Sequence, residues 1–375
     1  MRSERAAPTR LHRPAFSIMK AKTKALKAPR VIKVGTDFSG MNTVLVSLAR
    51  MLPANKCKFV FSSEILPECK RLQEVMLEDQ PDIQCGDVTD RDIEEMPYVD
   101  VYVPTPPCQT FSGIGNKKGV SDDGDKRGNL IAVGVKYTVA CKPRLMILEN
   151  VKGLMSKKFQ HIVKGIKKTL RVADYKVWVK VLNSRKYALA QTRERVIMVA
   201  IRGDSYSRKF KWPEPCPRRV SLTDILDPVV ATDKPGRMPK TKTARANMTA
   251  GCRKAWDSGI NPLTVPCAID VDASKKFFTM GINEAKTVTR SRGLAGGPWI
   301  TTRGRRTTPT ELLKLQGFKE SEVPWQKADV SASQLGAMLG NAVPVPVMGH
   351  VLSAAMFSAG ITATRAPFPD PLGRG

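Results

Sequence analysis

The sequence of 375 residues predicts an α/β protein: a doubly wound, mostly parallel sheet of seven strands, joined to a smaller, basic and loop-rich domain. Three observations predict this architecture. Short apolar runs alternate with helix-like stretches between residues 31 and 202. Residues 203–300 lose that alternation and are rich in Pro, Gly, Lys and Arg. The chain also carries a formal net charge of +28, which indicates a polyanionic partner.

The seven apolar runs predict the strands of the sheet. Most are rich in β-branched residues and apolar on both faces, as in strands that helices cover on two sides. Strand and helix alternate along the chain, which is typical of a doubly wound sheet whose ligands bind beyond the carboxyl ends of the strands. The strands are predicted at residues 31–38, 58–64, 82–85, 99–106, 144–151, 175–183 and 195–202, and the helices at 43–52, 67–78, 128–141 and 158–173.

Two more helices are predicted near the C-terminus. The first covers residues 308–318, with Thr308 as a candidate cap and Pro309 in the first turn. The second covers about residues 344–359 and also has a proline near its start. Composition and pattern together divide the chain into a basic, disordered arm (1–30), the sheet (31–202), the smaller domain (203–300), a helical C-terminal segment (301–362) and a tail (363–375).

The charge balance excludes several classes of function. The chain has 62 Lys and Arg residues against 34 Asp and Glu residues, which excludes an acidic protein and argues against an ordinary small-metabolite enzyme. Nucleic acid is the partner that such a surplus favours. No apolar run reaches about 18 residues, so no membrane span is expected. Eight cysteines without a C-x-x-C pair and three histidines predict no metal site.

The arm of residues 1–30 has nine basic residues and a single acid, Glu4. This composition predicts a nuclear signal, and hence a nuclear location, or a tail that tracks DNA. An organellar transit peptide is the alternative, because Arg, Ser and Ala are frequent and acids are scarce. A cytoplasmic enzyme is the third possibility.

Three predicted strands end in residues that suit a nucleoside. TDFSG (36–40) places an acid, an aromatic ring and a glycine in the turn before a helix, although any α/β protein needs such turns. Glu64 is the last residue of the second predicted strand and has acceptor oxygens for a ribose diol. Asp87, in CGDVTD, can accept from an exocyclic amine. The alternative for both acids is a solvated loop residue or a helix cap.

The segment VPTPPCQTFSGIGNKKG (103–119) presents Cys108 rigidly after two prolines at a strand end. A long loop follows, of a kind that is usually functional or disordered. A cysteine with a depressed pKa is a nucleophile, whereas the alternative is a buried structural cysteine. RLMILENVKGL (144–154) ends an apolar strand with Glu149 and Asn150, and a partly buried glutamate can donate a proton near neutrality.

QTRERV (191–196) places Arg193 and Arg195 two residues apart, on the same face of a strand. Two guanidinium groups on one face suit the binding of an anion or a carboxylate. The alternative is that both are solvent-exposed surface residues without a functional role.

The order of these motifs closely resembles that of the cytosine-5 methyltransferase family. DFSG, Glu64, GDVT, PPCQTFS, ENV and QTRER are followed by LQGF (315–318) and GNAVP (340–344), the family's closing pattern. The resemblance covers about residues 31–359, and PPCQ-x-FS, ENV and Q-x-R-x-R in this order are highly specific. It implies a Rossmann-like catalytic and cofactor-binding domain at 31–202 and a target-recognition domain at 203–300. It also implies that 301–362 returns to the catalytic domain.

The implied cofactor is S-adenosylmethionine. The resemblance assigns the ribose hydroxyls to Glu64 and the adenine amine to Asp87, and Ile65 stands where the family often has a tryptophan. Met41, Asn42 and Thr43 stand where further glycines are usual. The implied cofactor-binding residues are Asp37, Phe38, Ser39, Gly40, Glu64, Ile65, Asp87, Val88, Pro106, Asn341, Ala342 and Val343.

The implied reaction is transfer of the methyl group to C5 of a cytosine that is flipped out of double-stranded DNA. Cys108 attacks C6, Glu149 contacts N3 and the exocyclic amine, and Arg195 with Arg193 steadies the base. The implied catalytic residues are Cys108, Gln109, Glu149, Asn150, Arg193 and Arg195. Phosphate contacts are expected from Lys209, Lys211, Arg218, Arg219, Lys240, Lys242, Arg245, Arg253 and Lys254.

Two alternatives stay open at this point. A tRNA cytosine-5 methyltransferase shares PPCQ and ENV, but its usual Cys-Phe-Thr signature is not found in this sequence. A catalytically silent DNA-binding relative typically lacks the cysteine or the glutamate, and both Cys108 and Glu149 are present. The enzyme is expected to be a monomer.

Overall fold

The computed structural model describes residues 31–76, 81–107 and 130–370. The predicted arm (1–30) and residues 371–375 of the predicted tail lie outside the described residues, as do Cys108 and Gln109. The prediction that the arm is disordered therefore stays a prediction.

The central sheet has seven strands in the order β3-β2-β1-β4-β5-β8-β6. All neighbouring strands are parallel except β8, which runs antiparallel to both β5 and β6. The predicted seven-stranded, mostly parallel sheet is therefore confirmed. The strands are β1 (Ile32–Asp37), β2 (Cys57–Ser63), β3 (Ile83–Cys85), β4 (Val101–Pro104), β5 (Leu145–Val151), β6 (Tyr175–Asn183) and β8 (Glu194–Arg202); β7 (Gln191–Thr192) lies outside this sheet.

Helices cover both faces of the sheet, which explains why its strands are apolar on both faces. Within β5, Leu145 and Ile147 pack into a cluster with α1 and α10, whereas Met146 and Leu148 pack into a second cluster with α3 and α4. Alternate residues of a strand point to opposite faces, so a run of apolar residues fills both cores. These helices are α1 (Thr43–Ala49), α3 (Leu130–Cys141), α4 (Gln160–Val172) and α10 (Val345–Ser358); α2 (Pro67–Met76) connects β2 to β3.

The second region, residues 203–306, is built differently from the sheet region, residues 31–202. A four-stranded sheet in the order β10-β9-β12-β13 packs against α6, and β11 pairs with β7. The weak periodicity of residues 203–300 did not predict α6, the longest helix among the described residues. Its buried positions include Ala244, Asn247 and Gly251, which give little hydrophobic signal. The elements are α5 (Leu222–Ile225), α6 (Lys242–Asp257), β9 (Cys267–Ile269), β10 (Met280–Ile282), β11 (Ala285–Lys286), α7 (Arg290–Leu294), β12 (Trp299–Ile300) and β13 (Arg305–Arg306).

The C-terminal segment contains α8 (Pro309–Gln316), α9 (Ala332–Asn341) and α10. Thr308 caps α8 as predicted and forms a capping box with Glu311, whereas α9 was not predicted. The segment packs back onto the sheet region: the Thr43 hydroxyl of α1 donates to the Val343 carbonyl (3.1 Å), and α10 packs in one cluster with residues of β5 and β8. The division into five segments stays a prediction. No single helix of the described chain is long and apolar enough to cross a membrane, although α9 and α10 together, as a bent pair, meet the length and composition criteria.

Candidate active site

A cavity of about 480 Å³ lies at the carboxyl edge of the sheet. It opens where β1 and β4 are neighbours, the point at which the strand order reverses, and ligands of doubly wound sheets bind at such points. Its volume is in the range of about 300–1,000 Å³ that is usual for ligand pockets. The cavity is lined by residues 38–44, 64–66, 105–107 and 340–343, and by Glu149, Arg193, Arg195 and Arg290.

The turn between β1 and α1 forms one wall. Phe38 and Gly40 adopt left-handed backbone conformations, with φ of 57° and 52°. Asn42, at φ 50°, caps α1 by accepting from the Leu45 amide (3.3 Å). Asparagine tolerates this conformation better than most side chains, so it serves where the family usually has glycine.

Glu64 and Ile65 form the next wall. The Glu64 carboxylate accepts from the amides of Gly40 (2.7 Å), Ile65 (2.8 Å) and Leu66 (3.0 Å). A carboxylate has about four lone-pair sites, so one acceptor position is left for a ligand hydroxyl. The Ile65 side chain is 61% exposed and offers an apolar surface at the cavity.

Three of the predicted cofactor residues do not line the cavity. Asp37 is fully buried and is held by Arg91, Ser63 and Tyr102. Asp87 is exposed and accepts from the amide (2.9 Å) and the hydroxyl (2.8 Å) of Thr89. Val88 is buried away from the cavity. Sequence could not separate these three residues from Phe38, Glu64 and Pro106, because all of them lie at or just after the ends of strands at the same edge of the sheet.

Glu149 lies at the end of β5 and is 6% exposed. The Arg195 Nε lies 3.1 Å from its Oε1, because the antiparallel register of β8 on β5 brings the start of β8 beside the end of β5. Burial raises the pKa of Glu149, and the positive charges of Arg195 and Arg193 oppose that rise only in part. A carboxyl group with a raised pKa can hold a proton near neutrality.

Asn150 fixes the end of β4. Its Nδ2 donates to the Pro106 carbonyl (3.2 Å) and its Oδ1 accepts from the Val151 amide (2.9 Å). Pro106 and Pro107 line the cavity, and Cys108 and Gln109, which follow them in the chain, lie outside the described residues.

Arg193 and Arg195 both line the cavity, but they differ in their partners. Arg193 is 1% exposed and donates to the carbonyls of Val288 (2.9 Å), Gly340 (3.0 Å) and Ala342 (2.9 Å). Its guanidinium group therefore joins the second region and the end of α9 to the sheet. Arg195 is the guanidinium group that faces Glu149.

Asn341, Ala342 and Val343 lie on the cavity wall as the sequence predicts. Arg290, at the start of α7, also lines the cavity and was not predicted, because a single arginine in a basic segment carries no distinguishing signal. Within the described ranges, no group of three or more His, Cys, Asp or Glu residues could hold a metal ion.

The cavity residues fit a cofactor that contains a nucleoside. Phe38 and Ile65 supply apolar surface for a purine, and Glu64 keeps an acceptor site for a hydroxyl group. Residues 340–343 also line the cavity.

Solved structures agree with this fold. The chain aligns with Entamoeba histolytica methyltransferase EhMeth with a TM-score of 0.61 and 16% identity, covering 88% of this chain and 98% of that one. It aligns with S. pombe Dnmt2 methyltransferase with a TM-score of 0.59 and 17% identity, covering 87% and 98%. The chain therefore shares the fold of these two methyltransferases.

The particular family follows from the sequence comparisons. The chain belongs to the C-5 cytosine-specific DNA methylase family, whose model matches residues 38–356. It is 29% identical to the type II methyltransferase M.NlaX of Neisseria lactamica, over 85% of this chain and 94% of the relative. It is 26% identical to the type II methyltransferase M.HhaI of Haemophilus parahaemolyticus, over 89% and 96%.

As a member of this family, the protein is an enzyme that transfers a methyl group from S-adenosylmethionine to C5 of cytosine in DNA, through a covalent cysteine adduct. The predictions of fold, reaction and cofactor are confirmed. The comparisons do not favour the tRNA enzyme or the silent relative.

The prediction of a nuclear location is wrong. The curated relatives are type II methyltransferases of bacteria, which have no nucleus. A basic arm is equally typical of nuclear signals and of segments that bind nucleic acid, so its composition misled the prediction. Of the three predicted locations, the bacterial relatives are consistent with the cytoplasm.

Proposed function

We propose that this protein is a type II methyltransferase that modifies cytosine in double-stranded DNA at the cavity on the carboxyl edge of the sheet. The observation that carries the proposal is the buried Glu149–Arg195 pair at the cavity wall. A carboxyl group with a raised pKa beside a guanidinium group suits a base whose ring nitrogen gains a proton as the reaction proceeds.

Cys108 is the proposed nucleophile. It follows Pro106 and Pro107, which line the cavity, so its backbone is attached at the site. As a thiolate it forms a bond to C6, and the electron pair of the C5–C6 double bond becomes available at C5. Bound S-adenosylmethionine supplies the electrophilic methyl group that C5 takes. A base then removes the C5 proton, the C5–C6 double bond re-forms as Cys108 is expelled as thiolate, and N3 returns to the Glu149 carboxylate the proton that it received.

Glu149 and Arg195 act on the base in this proposal. Glu149 gives its proton to N3 as Cys108 adds to C6, so no negative charge builds up on the ring. Arg195 holds Glu149 in place and stabilises the carboxylate that is left. We assign positioning roles to Asn150, which holds the Pro106 carbonyl, and to Arg193, which holds the far wall. Gln109 is proposed to help close the site over the flipped base.

The cofactor contacts follow from the cavity walls. We assign the ribose hydroxyls to Glu64, the purine faces to Phe38 and Ile65, and the amino-acid end to the backbone around Ser39 and Gly40. Pro106 and Asn341, Ala342 and Val343 complete the wall. Asp37, Asp87 and Val88 are not assigned direct contacts, because they do not line the cavity.

Residues 203–300 are the proposed target-recognition domain. Eight of the nine cations predicted to contact phosphates are in no ion pair that involves the described residues, whereas Arg218 pairs with Asp370. Free cations suit the phosphate backbone of a duplex. The target cytosine has to leave the stack to reach the cavity, because its C5 and C6 are shielded within the duplex. The monomeric state stays a prediction.

The test is methyl transfer from labelled S-adenosylmethionine to duplex DNA, single-stranded DNA and tRNA. We expect 5-methylcytosine in the duplex with wild-type protein and none with Cys108→Ser. Equal labelling by the Cys108→Ser variant, or transfer to tRNA alone, would contradict the proposal.

A further inference from the structure

A buried ion pair lies directly behind the cavity wall. Arg91 donates from Nη1 to Asp37 Oδ1 (2.6 Å) and from Nη2 to Asp37 Oδ2 (2.5 Å). The side chains of Arg91 and Asp37 are 7% and 0% exposed. The guanidinium group lies over the rings of Phe61 and Tyr137, 5.5 and 5.6 Å from their centroids. Parallel hydrogen bonds and ring contacts fix its orientation.

The Asp37 carboxylate joins the ends of several neighbouring strands. Asp37 is the last residue of β1, and it also accepts from the hydroxyl of Ser63, the last residue of β2 (2.7 Å), and from the phenol of Tyr102 in β4. Arg91 brings in the segment that follows β3, and its Nη1 also donates to the Ser63 hydroxyl (2.9 Å). The cluster thus joins the last residues of β1 and β2, a residue within β4 and the segment that follows β3.

The residues that follow these strand ends form the cavity. Phe38 comes directly after Asp37, Glu64 directly after Ser63, and Thr105 directly after β4. A shift of the cluster therefore moves three walls of the cavity together. No cluster residue lines the cavity itself, so its effect on a ligand is indirect.

Stability alone does not explain why Asp37 and Arg91 are charged. Replacing a buried ion pair with apolar residues of similar volume is often neutral or stabilising, whereas removal of one partner costs about 3–5 kcal/mol. The ion pair adds a geometric constraint, because its two parallel hydrogen bonds hold the segment after β3 at one distance and angle from β1.

We propose that Asp37 and Arg91 are a positioning pair that sets the shape of the cofactor-binding wall. The pair acts on cofactor affinity through Phe38 and Glu64, and it leaves the reaction at the cytosine unchanged. This inference rests on the proposed function, which places the cofactor in this cavity. It also gives Asp37 a role other than the direct contact that its place in the TDFSG motif predicted.

The test compares three variants of the full-length protein: Arg91→Lys, Arg91→Met, and the triple variant Asp37→Leu/Arg91→Met/Tyr102→Phe. The triple variant removes the charges together with the phenol that would lose its acceptor. Titration calorimetry gives the Kd of S-adenosylhomocysteine, thermal unfolding gives Tm, and steady-state kinetics separate the KM for the cofactor from kcat. We expect a KM and Kd about ten- to a hundredfold higher in all three. The triple variant should recover most of the Tm that Arg91→Met loses, while its Kd stays weak. The kcat of Arg91→Lys at saturating cofactor should stay near that of the wild type.

A second ion pair serves as the matched control. Arg50 binds Glu322 through Nε (2.7 Å) and Nη2 (2.5 Å), is mostly buried, and lies outside the cavity. Arg50→Met should lower Tm and leave the Kd of S-adenosylhomocysteine unchanged. If the Kd of the triple variant recovers together with its Tm, or if Arg50→Met weakens binding equally, the pair is structural only and the inference is overturned.

Glu64→Ala separates this inference from the proposed function. If Glu64→Ala binds S-adenosylhomocysteine as the wild type does, the cavity is not the cofactor site and the proposed function fails. If Glu64→Ala loses binding while the Arg91 variants keep it, the proposed function stands and only the positioning pair fails.

Discussion

The sheet region (residues 31–202) and the second region (residues 203–306) of this methyltransferase are held together by different forces. Strand β5 buries Leu145, Met146, Ile147 and Leu148 almost completely, between helices on both faces. The second region has 20 basic and nine acidic residues, and at least six of its acids form ion pairs. These acids are Asp204, Asp227, Asp233, Asp270, Asp272 and Glu284.

This difference explains how a strongly basic region can fold and still present cations. Asp233 is buried between Arg303 and Arg305, and Arg305 also reaches Glu311 of α8. The acids therefore neutralise arginines inside the fold, while most of the lysines stay on the surface. Surface cations without partners are the groups that a phosphate backbone can use. The sheet region is specified by apolar packing, and the second region by directed polar contacts.

The largest effect is expected in the sheet region, at the site of the chemistry. Glu149→Gln removes the proton donor beside Arg195 and should lower kcat by about 10²–10⁴-fold. DNA affinity should change little, because phosphate contacts supply much of that affinity and Glu149 is buried. Single-turnover methyl transfer, with DNA binding measured in parallel, checks this. A variant that keeps wild-type kcat would remove Glu149 from the mechanism.

Arg193 links the two regions, so its replacement should destabilise both of them. Arg193→Met leaves the carbonyls of Val288, Gly340 and Ala342 without their donor and should lower the free energy of unfolding by about 3–5 kcal/mol. Arg208→Met is the control, because Arg208 is exposed and also donates to a carbonyl, that of Phe357. The control should lose less than about 1 kcal/mol in urea denaturation. Equal losses would show that Arg193 is not a buried link.

In the second region, loss of a buried polar contact should lower the free energy of unfolding as much as loss of an apolar contact does in the sheet region. Asn247 of α6 donates to the carbonyls of Val271 (2.9 Å) and Ala273 (2.8 Å). Asn247→Leu keeps the volume but leaves both acceptors unsatisfied, and should cost about 2–3 kcal/mol. Thr249→Ala on the exposed face of the same helix should cost less than about 0.5 kcal/mol. A neutral Asn247→Leu would show that the second region is packed like the sheet region.

The exposed lysines of the second region should contribute to the salt dependence of DNA binding. Lys240 and Lys242 are exposed, and replacing both with Gln should reduce the slope of log K against log salt by about 0.9 for each phosphate that is no longer neutralised. Lys56→Gln/Lys327→Gln removes the same charge from exposed positions outside the second region and should leave the slope unchanged. If both pairs change the slope equally, net charge rather than a local surface governs binding.

The smallest effect expected is a pH dependence of stability. Because burial raises the pKa of Glu149 above its ordinary 4.5, the fold favours the protonated carboxyl group. The stability of the wild type relative to Glu149→Gln should therefore be greatest below pH 4.5 and fall as pH rises through the raised pKa. Urea denaturation of both proteins between about pH 4 and pH 8 gives this difference. A difference that grows with pH would mean that the pKa of Glu149 is lowered in the fold.

The sequence predicted the sheet because its signal is local. A strand that is buried on both faces is a run of apolar residues, and seven such runs stand out. The helices α6 and α9 were missed because they bury small residues, such as Gly251 against Ile269 and Gly336 against Gly293, and small residues give no clear periodicity. Their close packing is visible only in the folded structure, where the packing partners Ile269 and Gly293 lie against them.

The same limit applies to the site. The motifs identified Glu149, Asn150 and Arg195, because packing alone does not place an acid at the end of an apolar strand. Asp37 looked like a cofactor ligand for that reason, but its partner Arg91 is 54 positions away, and sequence alone does not pair them. The spacing of Arg193 and Arg195 suggested one shared role. The structure separates them, because the carbonyls that bind Arg193 come from two later segments of the chain.

The most direct test of the account is capture of the covalent adduct. A duplex that contains 5-fluorocytosine cannot lose a proton from C5, so a thiol that has added to C6 stays bound after methyl transfer. With S-adenosylmethionine, we expect wild-type protein to form a denaturant-resistant complex with the duplex, and peptide mapping to place the link at Cys108. A link at another cysteine, or a complex that forms equally well with Cys108→Ser, would contradict the central claim.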